Sequence, residues 1–578
     1  MTSFNFKKWN TILGWTAFAI ALITYSLTVE PTLSFWDCGE YIATSANLEV
    51  GHPPGAPLFQ MLGAFFAMFA FSPDKIALMV NYLSVFSSAF TVLFLFWSLT
   101  MVLKKVVGTA KEISNNQNIM ILGSAFIASL TFTFSDSFWY NAVEAEVYAM
   151  ATFLIALLFW LGLRWEQEFE TPRGNKWLLI ISLVIGLSFG VHFMALLAFP
   201  AIGFLYFFKK YKTVTVKSFL IANVVIIAIL LFIFKLLLPY TLAFFGKTEI
   251  FMVNSLGMPF NSGTIFAFLL IIAAFYFGLN YTKKKGHVFY NTLILATLFI
   301  LIGFSTWLML PIRANANTPI NENKPSDAAE VLAYYNREQY GEQKLFYGPQ
   351  FSDTYAGLDP ETPYLDGKPN YERDYKTGKY IITNNFKNAT QNTDDAHKAL
   401  LPRMWSNEHN VNYMTFGEPL EFRINPEYSH EDELVQIVTD FRKAYATGDV
   451  DLKGYDKFLK TYGEYLIVDK PSFATNMKFM FQYQFGYMYM RYLLWNFVGR
   501  QNDEQGKYED LKGNWITGID VIDEFFIGSQ KNLPSDIANN KARNIYFGIP
   551  FILALIGLVF HAKRDVKSCY VLFVLFLF

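Results

Sequence analysis

The chain has 578 residues, 53% hydrophobic, 18% aromatic and 16% charged, with a formal net charge of -1. Soluble domains carry about 25% charged residues, so a wholly soluble protein is excluded, and the near-neutral balance argues against a nucleic-acid partner. Its two cysteines, Cys38 and Cys569, lie at opposite ends of the sequence and offer neither a disulfide framework nor metal-ligand spacing.

The first apolar run, about 11–28, follows the basic start Lys7-Lys8 and precedes no small-residue cleavage site, which predicts a retained signal anchor. Further spans, of the roughly 20 residues that cross about 30 Å of hydrocarbon, are expected near 76–103, 119–135, 147–165, 177–190, 193–208, 218–238, 264–281, 288–310 and 545–560. The stretch 56–71 is short and follows a Pro-Pro-Gly segment, so it is expected to lie in the interface. The apolar run 177–207 is expected to cross twice, turning near Gly190-Val191-His192. Basic clusters at Lys7-Lys8, Lys104-Lys105, Arg173 with Lys176, Lys209-Lys210-Lys212, Lys283-Lys284-Lys285 and Lys563-Arg564-Lys567 then all face the cytoplasm. The last run, 569–578, is too short to span, and the chain is expected to be cut from a longer protein.

The expected fold is therefore an α-helical polytopic membrane protein. A transmembrane catalytic module covers 1–310, with a first extracytoplasmic loop at 29–75, and C-terminal transmembrane segments cover 544–578. Between them, 311–543 reads as an extracytoplasmic soluble domain of mixed α/β or mainly α character, with helical patterning near 326–340 and 430–445. Its aromatic segment 479–503 is studded with Gln, Asn and Arg. It is expected to lie as an interfacial helix under the domain, because a crossing there would reverse the last basic cluster.

This topology gathers Asp37, Glu40, His52, Asp136, Glu144, Glu146, His192, Tyr240 and Arg313 on the non-cytoplasmic side. Asp37 and Glu40 share a face if their loop is helical. The aromatics Phe35, Trp36 and Tyr41 suggest a partly buried setting able to tune a carboxylate, against the plainer reading of loop solvation or helix capping. His52, in Gly-His-Pro-Pro-Gly, sits in a loop that prolines stiffen, and reads as a structural or substrate-contacting residue. Glu144 and Glu146 open a span, where the helix dipole favours carboxylates without any functional role, or they position a substrate. His192 is equally an interhelical hydrogen-bonding residue or a substrate contact. Arg313 leaves the membrane at phosphate depth, where snorkelling to lipid headgroups is the alternative. Arg491 and Arg500 are further anion-binding candidates, with packing or surface roles as likely a use of each.

An acid, arginines and an extracytoplasmic cleft at the lipid boundary suit transfer from a lipid-linked phosphate donor. The leaving phosphate needs a cation more than a proton, and the acceptor hydroxyl needs one general base. No nucleotide-binding loop is present, and neither a cofactor nor a metal is demanded by the spacing.

The runs Phe-Trp-Asp-Cys-Gly-Glu-Tyr-Ile-Ala (35–43) and Gly-His-Pro-Pro-Gly-Ala-Pro-Leu (51–58) resemble a bacterial multispan family. Its animal relative is an endoplasmic-reticulum protein O-mannosyltransferase. Glu-Val-Tyr at 146–148, Pro-Ile-Asn-Glu-Asn-Lys-Pro at 319–325 and the stretch 488–503 are similar to the same family. The resemblance implies a GT-C glycosyltransferase bundle, whose polyprenyl-phosphate-sugar enzymes carry an essential acid in the first extracytoplasmic loop. Asp37 matches that position best, with Glu40 as partner or substitute. Family members are commonly longer, with more spans and a soluble C-terminal part.

The expectation is an inverting enzyme of a bacterial inner membrane, its active site facing the periplasm. It would move a sugar from a polyprenyl-phosphate donor to Ser or Thr hydroxyls of exported proteins, with mannose resting on the resemblance alone. Asp37 would act as base, Glu40 would orient the acceptor or hold the loop, and Arg313, Arg491 and Arg500 would bind donor phosphate. His52, Glu144, Glu146, His192 and Tyr240 would contact substrate, with membrane lipid the remaining partner. The alternatives are a GT-C transferase acting on lipid or glycan, a transporter or flippase of lipid-linked material, and a structural or secretion-assembly protein. A transporter should show inverted repeats and midplane charges, whereas these acids gather at one face.

Overall fold

A computed structural model describes residues 4–108, 113–171, 174–341, 344–506 and 508–577; Arg173 lies outside them. The chain forms two compact units, Met1–Tyr340 with Gly548–Phe578, and Gly341–Phe547.

The first unit is helical. In chain order it contains α1 (Phe6–Thr28), α2 (Cys38–Asn47), α3 (Pro57–Ala67), α4 (Ile76–Val107), α5 (Asn115–Thr133) and α6 (Asp136–Ala142). These are followed by α7 (Val147–Glu168), α8 (Gly174–Ser188), α9 (Phe199–Lys210), α10 (Val216–Leu231), α11 (Leu238–Asn254), α12 (Ser262–Lys284), α13 (Val288–Phe304), α14 (Met309–Asn315) and α15 (Ala328–Asn336). Seven stretches among the described residues are long and apolar enough to cross a membrane, or eight if α5 and α6, bent by 67° at their junction, count as one. The protein is thus a mainly helical, polytopic membrane protein. Two expected spans come out short: α8 has 15 residues and the helix Ile549–Arg564 has 16. As expected, α3 is too short to cross, at 11 residues.

Backbone proximity fixes the core. A Cβ on Gly186 of α8 would run into the Ile300 carbonyl of α13, and one on Gly303 of α13 into the Leu183 carbonyl of α8, so two glycines let these helices touch backbone to backbone. The α8–α9 turn forms where it was expected. Its Gly190 carbonyl accepts from the Leu58 and Phe59 amides of α3 at 2.7 and 3.2 Å. The expected helix end near 238 is absent. A wider turn at Phe232–Leu237 joins α10 to α11, giving one stretch Val216–Asn254 that carries Tyr240 on an exposed face.

The boundary between units falls after Tyr340, not after 310. Asp327 caps α15 in a reciprocal box with Glu330. Val331, Tyr334 and Tyr335 of that helix are buried in the same core as α2, α3, α7, α8 and α13, so 311–340 folds with the helical unit.

The second unit mixes helices with two-stranded antiparallel ladders, such as Asn370–Asp374 with Lys379–Asn384 and Phe422–Ile424 with Leu466–Val468. Its core is aromatic: Phe441 of helix Asp432–Thr447 stacks on Phe458 of helix Leu452–Tyr462, their ring centroids 3.6 Å apart. The aromatic segment is helical from Phe473 to Phe497, with a wide-turned stretch at Met480–Met490.

Candidate functional site

The Gly-His-Pro-Pro-Gly loop is held from three sides. Its Val50 amide donates to the Ile320 carbonyl at 3.1 Å, and the Glu322 amide returns a bond to Val50 at 3.0 Å. Behind it, the Tyr334 hydroxyl of α15 donates to the Gly51 carbonyl. Glycine is required at both ends of the loop. A Cβ on Gly51 would lie 2.6 Å from Glu40 Oε1, and Gly55 has a φ of +67° against the Tyr334 ring.

That fixed loop meets the start of α2. Glu40 Oε1 accepts from the His52 amide at 2.6 Å, and Glu40 Oε2 lies 2.9 Å from His52 Nδ1. The other ring nitrogen, Nε2, is 3.8 Å from Asp37 Oδ2. His52 therefore stands between two carboxylates. The Glu40 hydrogen bond holds its imidazole above the ordinary value, against burial and with help from the charges of Glu40, Asp37 and Glu322. Burial pushes Glu40 up, but the bonds from the His52 side chain and amide outweigh it and hold the carboxyl below its ordinary value. Asp37, Glu40 and His52 each offer one ligand atom within 4.8 Å of the others, a spacing that would admit a divalent cation.

A cavity of about 170 Å³ opens on this group, lined by Asp37, His52, Glu146, Tyr148, His192 and Arg337 among others. Asp37, at the N-cap of α2, makes no capping bond and its side chain is 59% exposed. Glu146, at the N-cap of α7, is 7% exposed. Its carboxyl is pushed up to about 7 by burial, then by the charges of Asp37 and Glu144. His192 spends Nδ1 on the Met194 amide, and burial followed by the Arg337 charge holds its imidazole below the ordinary value.

Five of the predicted residues thus converge: Asp37, Glu40, His52, Glu146 and His192. Glu144 is buried one layer back, accepting from the Ser34 hydroxyl at 2.5 Å. Tyr240 lies on α11 and does not line the cavity. Arg313 is committed to the chain, donating to the Leu48 and Asn47 carbonyls at 2.5 and 3.0 Å, where it satisfies the C-terminal end of α2. Arg491 and Arg500 belong to the second unit. Arg491 is 4% exposed and donates to the Tyr487 and Gly513 carbonyls, and Arg500 donates to the Asn502 carbonyl. Of the three aromatics expected to give Asp37 a partly buried setting, Tyr41 is buried and lines the cavity, while Phe35 and Trp36 turn outward, 80% and 84% exposed; the deeper burial falls on Glu146.

Sequence reasoning missed Arg337. It is the left-handed C-cap of α15, and its guanidinium lies over the Tyr340 ring at 4.6 Å. The helical patterning near 326–340 signalled the element, but nothing in that pattern aims its terminal arginine at a loop three hundred residues earlier.

The fold and site define a polytopic helical membrane protein with an acid-lined cavity formed where α2, α7 and the turn before α9 meet. The sequence profile of the family described as Protein O-mannosyl-transferase TMEM260 N-terminal domain matches residues 37–215, and that of a family of unknown function (DUF8416) matches residues 341–481. Over 195 residues the chain is 28% identical to the protein O-mannosyl-transferase tmem260 of Dictyostelium discoideum, covering 32% of this chain and 22% of that protein. Over 172 residues it is 28% identical to the protein O-mannosyl-transferase TMEM260 of Mus musculus, covering 30% and 22%. The matches thus span about a fifth of the length of these relatives and support a relation to the animal protein O-mannosyltransferase. No solved structure matches.

Proposed function

We propose that the cavity transfers a sugar, with inversion, from a polyprenyl-phosphate donor to a Ser or Thr hydroxyl of an exported protein, on the non-cytoplasmic face of the membrane. The observation that carries the reading is the pairing, within one cavity, of an exposed carboxylate, Asp37, with an arginine, Arg337. The match of residues 37–215 to the mannosyltransferase family supports it and suggests mannose as the sugar.

In this reaction the acceptor oxygen attacks the anomeric carbon as its proton passes to Asp37. The bond from that carbon to the phosphate oxygen breaks, and polyprenyl phosphate leaves with the electron pair. Asp37 is free of a capping bond and solvent-accessible, so its oxygens are available to the hydroxyl. Glu40 acts through His52, fixing the imidazole beside Asp37. Arg337 takes the role the sequence suggested for Arg313, placing a fixed positive charge where the leaving phosphate gains charge.

The test is transfer of labelled sugar from synthetic polyprenyl-phosphate-mannose to a Ser/Thr peptide by the full chain in membranes. Asp37→Asn should lower transfer by about a hundredfold or more, and Arg337→Gln should lower it while Arg313→Gln acts through stability alone. Full transfer by Asp37→Asn would overturn the base assignment. Label appearing on membrane lipid or glycan, with none on peptide, would redirect the acceptor to those molecules.

A further inference from the structure

We propose that the second unit carries a lipid-binding surface, formed by the outward apolar face of helix Asp520–Ile527 with Ile545 and Phe547, which lies in the headgroup layer of the bilayer. This surface is independent of the reaction the first unit performs.

The sequence Asp-Val-Ile-Asp-Glu-Phe-Phe-Ile, packed on a protein core, would turn its acids outward and its apolar residues in. The structure has it the other way round. Asp523 is the one buried side chain of this helix, 4% exposed, whereas Val521 and Phe525 are 81% and 83% exposed. Asp523 turns inward because donors meet it there. Its carboxylate accepts from the Thr517 amide at 2.7 Å, the Thr517 hydroxyl at 2.8 Å and the Gly518 amide at 2.9 Å, which offsets the loss of water. Val521 and Phe525, one turn apart, are then left at the surface, flanked by exposed Ile522 and Phe526.

A neighbouring segment extends this face. Strand Asn544–Ile545 pairs with Gly499–Arg500. Gly518 comes so close to it that a Cβ there would strike Ile545 and lie 3.2 Å from the Phe547 ring. The helix is thus tied to Ile545 and Phe547, both exposed. Charge beside the face is balanced, since Lys531 pairs with Asp520 at 2.8 Å.

Chain continuity identifies the occupant. Only Gly548 separates Phe547 from Ile549, and two residues span at most about 7 Å. Ile549 opens helix Ile549–Arg564, in which residues 549–560 carry no charge and no side chain is buried. A helix apolar on every side, with nothing buried, is solvated by lipid. Its basic residues, Lys563 and Arg564, are at the far end, so Phe547 stands where the chain passes into the bilayer. Aromatic side chains favour that level, and interfacial helices bury an apolar face about 5–10 Å into it. A second copy or a protein partner would not require the apolar face to end where a lipid-solvated helix begins.

The test is depth-dependent fluorescence quenching of the full chain in phosphatidylcholine nanodiscs. Phe525→Cys carries an environment-sensitive dye, and wild type, whose Cys38 and Cys569 are buried, is the labelling blank. Lipid with a nitroxide near the top of its acyl chain should quench the dye about twofold or more, and more strongly than lipid with the nitroxide at the chain end. Adding Val521→Asp should weaken that quenching; both substituted side chains are exposed, so the fold is kept. A dye that neither lipid quenches overturns the proposal. If unlabelled Phe525→Cys then forms a disulfide-linked dimer, the face belongs to a second copy instead. Quenching that Val521→Asp leaves undiminished also overturns it, because the apolar face would not be what holds the helix in the membrane.

Discussion

His52 is hydrogen-bonded to Glu40 and faces Asp37, and the pH dependence of this pair follows from that contact. Its imidazole is raised above 6.5, so its contribution to stability is complete below that value and is lost as pH rises through the raised one. Glu40 is lowered below 4.5, so its contribution is present above that value and is lost as pH falls through the lowered one. The pair is therefore strongest between these limits. Melting temperature measured against pH should show a plateau there that Glu40→Gln flattens, and imidazole titration by NMR should show His52 moving back toward 6.5 in that variant. Much at this scale was legible. Glu40 and His52 stand in two motifs twelve residues apart, close enough in sequence for their pairing with Asp37 to be read, although distant residues Ile320, Glu322 and Tyr334 hold the loop in place. Arg337 was not legible, because its direction depends on a left-handed cap and on the packing of α15 against a distant loop. Phe35 and Trp36 misled for the opposite reason: composition suggested burial, and a positive φ of 63° at Trp36 turns the pair outward.

Among the elements, the α8–α13 contact is the least forgiving. A methyl group on Gly303 would meet the Leu183 carbonyl and the Leu187 amide, both backbone groups that cannot rotate away. Gly303→Ala should cost about 1–3 kcal/mol by forced separation of the helices, read as a lowered melting temperature in detergent. Gly557→Ala, where a Cβ would meet nothing within 4 Å, should leave it unchanged. Most helices were legible from the lengths of their apolar runs. The join of α10 to α11 was not, because the expected span ended at 238 and Tyr240 was placed on the non-cytoplasmic side. The wide turn at Phe232–Leu237 accommodates Pro239, whose missing N–H and ring would otherwise stop the helix. The boundary near 310 failed likewise: α14 and α15 are too short to signal core burial by hydropathy, and they join the first core through Met309, Leu310 and Ala314 of α14 and Tyr334 and Tyr335 of α15.

For the whole molecule, the contact boundary at Gly341 coincides with the start of the second matched family segment, 341–481. With its own aromatic core, the segment Gly341–Phe547 expressed alone should unfold cooperatively and resist limited proteolysis. A noncooperative, protease-sensitive product would show that it depends on the rest of the chain. The proposed sidedness makes a separate prediction: an introduced cysteine at exposed Lys443 should react with a membrane-impermeant maleimide from the non-cytoplasmic side only. The position of Arg337 has a consequence for descent. The acids of the cavity lie within residues 37–215, the segment shared with the mannosyltransferases, while Arg337 lies beyond it. Mutation could therefore alter the cation in one lineage while every acid is inherited intact. Under the proposed reaction, such a descendant would keep the group assigned to activate a hydroxyl and lose the one assigned to an anionic leaving group. Inheritance of the shared segment and inheritance of the full cavity lining are thus separable events, and position 337 is where a divergence between them would be written.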